Sequence, residues 1–163
     1  MKRLSLLGAA LLACAPIHAA DFSGNWSLDR TRSTNLPPYY SQVTTHRLST
    51  AQDGKQLTVE VAIEGARPEP EQGRFVYRFD GTPTTAVTLV RTPEGRQEAP
   101  TTMKASMDGA GRLHVDIVRE FGLTGGIVRG RSSEDWSLSP DGRTLTVRQA
   151  RPNMVSNLVF VRM

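Results

Sequence analysis

One cysteine, Cys14, stands in the whole sequence, so the chain cannot form an internal disulfide. Beyond the first twenty residues no apolar run approaches the ~20 residues of a membrane-spanning helix. Aromatic residues make up only 6% of the chain, which argues against a large pocket lined by rings. Histidine is scarce too: of three, only His46 and His114 lie beyond residue 20. The arginines are spread singly, as at Arg47, Arg78, Arg112 and Arg148, with no basic block and no basic helix interleaved with aromatics. Nucleic-acid binding therefore has no footprint here. No Gly-x-Ser-x-Gly elbow, cofactor motif or metal-ligand spacing occurs either, so no cofactor is expected and no catalytic constellation is found.

The first twenty residues read as a leader. Lys2 and Arg3 give a positive start, Leu4 to Ala13 an apolar run, and Pro16 breaks any helix. Ile17-His18-Ala19-Ala20 then offers small residues for cleavage after Ala19 or Ala20. This predicts a signal peptide over residues 1–20 and a periplasmic or secreted chain over 21–163. Leu11-Leu12-Ala13-Cys14 also resembles the lipobox of bacterial lipoproteins. It keeps open an alternative in which a lipid on Cys14 anchors the protein, the one route to a membrane that the sequence offers. Of 20 basic residues, losing Lys2 and Arg3 leaves 18 against 16 acidic ones, a charge of +2. A chain of about 150 residues buries about 70% of its unfolded surface, enough for one domain with one core.

Past the leader the chain alternates. Leu57, Val59, Val61 and Ile63 interleave with Thr58, Glu60 and Ala62. Phe75, Tyr77 and Phe79 do so with Arg74, Val76 and Arg78. Leu113, Val115 and Ile117, then Leu145 and Val147, repeat the period, and Ser156 to Met163 reads as a closing strand. Side chains two apart share a face of a strand, so each segment has one apolar face. Asp53-Gly54, Asp80-Gly81, Asp108-Gly109 and Asp141-Gly142 are hairpin turns. The echo between Asp53–Val59 and Asp141–Val147 reads as a common way of entering a strand, since the period is irregular. Pro37 and Pro38 forbid a helix interior before Tyr39-Tyr40. Residues 64–73 and 91–100 read as loops by composition. The expected fold is all-β: eight to ten short antiparallel strands in an up-and-down barrel, or alternatively an open sandwich.

Phe22-Ser23-Gly24-Asn25-Trp26-Ser27-Leu28-Asp29 resembles the opening of lipocalin-like, calycin-type β-barrels, marked by Gly-x-Trp on the first strand. It also resembles secreted bacterial proteins of uncharacterised role that begin Phe-Ser-Gly-x-Trp-x-Leu-Asp. Many of those carry a late stretch like Trp136-Ser137-Leu138-Ser139-Pro140-Asp141-Gly142. The resemblance implies that Trp26 plugs one end of the barrel and that a basic residue near the last strand crosses its ring. Arg162 matches by position, with Arg148 second. Gly24 would let the backbones approach there. A second lipocalin motif is lacking.

Three functions can be weighed on this chain. The first is a barrel that binds a small hydrophobic or amphipathic ligand, lined by Phe75, Tyr77 and Phe79. A glycine-rich mouth loop (Gly122, Gly125, Gly126 and Gly130) would then bring Phe121, Arg129 and Arg131 to the ligand. The second is a structural or interaction domain of the envelope, with the Pro-Pro-Tyr-Tyr segment as its exposed patch. The third is an enzyme, which would need His46, His114 and Asp116 to converge in a cleft. A surface His–Asp pair is the simpler reading of His114 and Asp116, two apart on one strand face.

Overall fold

A computed structural model describes residues 20–66 and 70–163. The expectations about the leader and Cys14 fall on residues 1–19 and lie outside them. Ten antiparallel strands form one sheet: β1 (Gly24–Leu28), β2 (Thr45–Gln52), β3 (Gln56–Glu64), β4 (Glu71–Arg78), β5 (Thr84–Thr92), β6 (Gly95–Met107), β7 (Leu113–Leu123), β8 (Gly126–Leu138), β9 (Thr144–Arg151) and β10 (Met154–Arg162). Their order around the sheet is β4-β3-β2-β1-β10-β9-β8-β7-β6-β5. Every strand pairs with its neighbour in sequence except at two places. β1 pairs with β10, and β4 and β5 form no ladder with each other. The sheet curls into a barrel with one seam, between β4 and β5. The sandwich alternative is set aside, because a single sheet wraps one interior.

The alternation explains the wall. Leu57, Val59 and Tyr77 point inward, as do Leu113, Val115 and Ile117 on β7 and Leu145 and Val147 on β9, and all are buried. The four Asp-Gly turns join β2–β3, β4–β5, β6–β7 and β8–β9, so all four lie at the same end. Each aspartate accepts a backbone N–H two residues on, as Asp53 Oδ1 does from Lys55 at 2.7 Å and Asp80 Oδ1 from Thr82 at 2.9 Å. That end is packed solid. Phe22, Trp26, Leu57, Leu113 and Leu145 are each fully buried there. Trp26 Nε1 donates to Thr50 Oγ1 (3.0 Å) and to the Phe22 carbonyl (3.2 Å).

One loop expectation is overturned. Residues 91–100 supply the end of β5 and the start of β6, and leave only a tight turn at Pro93-Glu94. Proline and charge there suggested a loop, but Arg91 and Glu98 are exposed on the outward face of strands, and Arg96 reaches the rim of the interior. Pro100 pairs with Val87 and lies one residue beyond the β6–β7 register, which begins at Thr101. Its missing N–H therefore interrupts no bond in that second ladder. Glu71, Gln72 and Gly73 are likewise the start of β4 rather than loop.

The opposite end is open. The chain between β1 and β2 crosses it as a strap, with one 3₁₀ turn at Pro38–Ser41. Proline is accepted there because it sits at the first positions of the turn, where no N–H is needed. The strap is pinned to β10 by Ser156 Oγ donating to the Asn35 carbonyl (2.7 Å) and by a bridge between Thr34 and Asn157. The seam is drawn together near the Asp-Gly end, where Thr84 Oγ1 donates to the Val76 carbonyl (2.5 Å). Val87 and Leu89 of β5 are exposed beside the seam, where they border the interior.

Candidate functional site

Beneath the strap lies a cavity of about 470 Å³. This volume falls within the ~300–1,000 Å³ of small-molecule sites. Its floor is Trp136, wedged edge-on between Phe22 and Tyr77 with ring centroids 6.1 and 5.9 Å away. Its roof is Tyr40, buried under the strap while Tyr39 beside it is 44% exposed. The expected Tyr-Tyr surface patch is therefore half a roof, since the 3₁₀ turn sends Tyr40 inward. A hollow of about 620 Å³ also lies on the outer faces of β2–β4, bordered by Arg47, Glu60 and Arg74. It is a shallow depression open to solvent, with the cavity on the other side of the same strands.

Two unlike walls face each other across the interior. On β2–β4 stand Leu48, Val59, Val61, Ile63 and Phe75. On β7–β9 stand Arg119, Glu134, Gln149 and Arg151. Each polar residue continues the inward period of its strand: Arg119 comes two after Ile117, Glu134 two before Trp136, and Gln149 and Arg151 two and four after Val147. The polar groups are linked. Glu134 accepts from Trp136 Nε1 and from Gln149 Nε2, both at 2.9 Å. Gln149 Oε1 accepts from Arg151 Nη2 (3.0 Å), and Arg119 Nη1 donates to Ser132 Oγ (3.0 Å). Among the described residues, neither Arg119 nor Arg151 forms a salt bridge.

The electrostatics reflect burial. Desolvation lowers the Arg119 pKa, the charge of Glu134 opposes that fall, and the charge of Arg151 adds to it. An arginine remains charged all the same. Burial, with Glu134 nearby, raises the Tyr77 phenol well above its usual value. Tyr40 is raised as well, by burial first. His46 is pushed down by burial to about 4, so it is neutral at pH 7. Its Nδ1 meets the Tyr40 hydroxyl at 3.0 Å, and its ring stands edge-on to Phe160, with centroids 5.1 Å apart. With Arg96 and Glu71 at the rim, three cations and two anions among the described residues line the cavity, a balance of +1.

The residues singled out from the sequence fall in different places. Phe75 and Tyr77 line the cavity. Phe79 does not, because it lies past the end of β4 and packs against the core at the closed end. Phe121 sits nearer the mouth with its ring against Gly130, outside the cavity lining. Arg129 is a correction. It is out of phase with Ser132, Glu134 and Trp136, so it faces solvent and pairs with Glu120 at 2.7 Å. Arg131, in phase with Arg129, is exposed too. Gly24, Trp26 and Arg162 meet at the closed end, where Arg162 Cζ lies 4.3 Å from the Trp26 ring centre. Arg162 is held there by the Ser23 and Gly142 carbonyls. Arg148 instead pairs with Asp135 on the outside. His46 is inside the barrel, whereas His114 is outside with Asp135 (2.6 Å) and Asp116 (3.4 Å), so the three do not converge. Arg119, Glu134, Gln149 and Arg151 escaped notice in the sequence. Their signal was a polar residue falling in phase with an apolar face.

No family model matches the sequence, and no curated protein does. Solved structures do match along most of the chain. The "REP1-NXSQ fatty acid transporter" is 15% identical, covers 89% of this chain and 98% of its own, and superposes with a TM-score of 0.53. The fluorescent protein UnaG gives 16%, 87%, 97% and 0.53. Apo lipid binding protein 8 of Caenorhabditis elegans gives 11%, 87%, 95% and 0.52. At such identities the likeness is one of fold. The chain is a ten-stranded, lipocalin-like β-barrel, built as a fatty acid transporter and a lipid binding protein are built.

Proposed function

We propose that this protein is a non-catalytic binding barrel for a small amphipathic molecule that carries one negative charge. The observation that supports it most is the pair Arg119 and Arg151. Both are inward-facing guanidiniums without a carboxylate partner among the described residues, inside a cavity of balance +1. A buried charge is costly without a counter-ion, and an anionic ligand would supply it. Val61, Ile63 and Phe75 would cover its apolar part. The fold shared with a fatty acid transporter and a lipid binding protein agrees with this use.

The test is titration with the amphipathic anion 1-anilinonaphthalene-8-sulfonate, followed by competition with dodecanoate and its methyl ester. Arg119→Met and Arg151→Met should each weaken binding of the anion about tenfold, near the ~1.5–3 kcal/mol of a hydrogen bond to a charged group. The ester should compete at least tenfold less well than the acid. Equal affinity of acid and ester, or no effect of either substitution, would refute the reading.

The same proposal takes the protein as exported. Gln52 Nε2 donates to the Ala20 carbonyl at 2.9 Å, so a cut after Ala19 would keep a residue that the fold uses. The intact mass of protein from its own envelope distinguishes this from a lipid anchor at Cys14.

A further inference from the structure

The two walls of the cavity differ below the rim, where Ile63 stands between His46 and Glu71, and this bears on the shape of the ligand. In the ring order, β3 stands five places from β8, so β2–β4 and β7–β9 are opposite walls. On the polar wall Glu134 and Gln149 are register partners across β8 and β9. Arg119 pairs with Gly130, four residues mouthward of Glu134. At ~3.4 Å per residue the polar stripe runs for about 14 Å along the barrel. The apolar wall keeps pace: Val59, Val61 and Ile63 cover the same number of residues on β3, with Phe75 beside Val59 and Leu48 beside Val61. A linear alkyl carboxylate has polar atoms at one end only. Laid in this cavity, it would set methylenes against Glu134 and Arg119, whose hydrogen bonds to Trp136, Gln149 and Ser132 leave further donor and acceptor capacity that only a polar edge would use.

Resting on the binding reading above, we propose that the ligand is facially amphipathic: a rigid monoanion with hydroxyl or carbonyl groups along one edge and an apolar opposite face. Glu134 and Gln149 take the edge groups, Arg119 or Arg151 the anion, and β2–β4 the apolar face. Gly73 and Gly130 are both in phase with the inward residues, and the Phe75 and Phe121 rings lie over them.

Isothermal titration at pH 7.5 compares cholate, a steroid carboxylate with hydroxyls on one face, with dodecanoate and hexadecanoate. Cholate should bind at least tenfold more tightly than either linear acid. Glu134→Gln and Gln149→Leu, each checked for folding by circular dichroism, should weaken cholate more than fivefold and move the linear acids less than twofold. A linear acid that binds as tightly as cholate would overturn the facial proposal and leave the binding reading standing. So would substitutions that weaken all three alike. If none of the three binds, both readings fall together.

Discussion

Lowering the pH from 7 should remove folding stability through one side chain, His46. It is 7% exposed, between Tyr40 of the strap, Phe160 of β10 and its register partner Ile63 on β3. Burial holds its pKa at about 4, against 6.5 in an open chain. Between those values the unfolded chain binds a proton that the folded chain refuses. Stability is therefore complete above pH 6.5 and falls progressively towards pH 4. At ~1.4 kcal/mol per unit, a gap of about 2.5 units amounts to about 3 kcal/mol. His114 works in the opposite sense, because the hydrogen bond it donates to Asp135 raises its pKa, so its contribution fades as pH rises. Asp29, Asp80, Asp108 and Asp141 have lowered pKa values and lose their share only below the window. Urea unfolding of the protein and of His46→Gln, at steps from pH 7 to 4.5, separates these effects. The natural protein should lose about 2 kcal/mol more than the variant over that range. Parallel curves for the two would refute the argument.

Two further substitutions probe the closed end. Trp26→Ala removes a fully buried indole and should cost ~3–5 kcal/mol in urea unfolding; a loss under ~1 kcal/mol would contradict its place as the plug. Gly24→Ala forces an alanine to φ +146 and drives its Cβ into Arg162 Nη1. It should cost ~1–3 kcal/mol, read the same way, and an unchanged midpoint would show that the backbone there relaxes freely.

The barrel was legible because its wall is written in a period of two. Leu57 to Ile63 and Leu113 to Ile117 announced inward faces, and the Asp-Gly pairs announced the turns at one end. Gly24 and Trp26 announced that end through a resemblance, and Arg162 joined them by position. The cavity was harder to read, for a physical reason. An arginine or glutamate in a strand is usually outside, so Arg119, Glu134 and Arg151 looked like solvated surface. Their phase relative to Ile117, Trp136 and Val147 was the contrary sign. Arg129 stood out beside the glycines, yet its phase sends it to solvent. Residues 91–100 misled through composition, since the outward face of a strand can be as charged as a loop.

The pairing of β1 with β10 sets an order of events in folding. β1–β4 and β5–β10 are two meanders, each assembled from hairpins of nearby residues. Among the described residues they are joined by the β1–β10 ladder, with Trp26 opposite Arg162 at its edge, and by the Thr34–Asn157 bridge. Ladders between distant residues carry a large loop-closure cost and slow folding. A chain emerging from its N-terminus can zip each meander as it appears, but cannot form that ladder until β10 arrives. Removing β10 from Phe160 onward should therefore take away that ladder and leave the strap's bonds to Ser156 and Asn157 to hold the two meanders together.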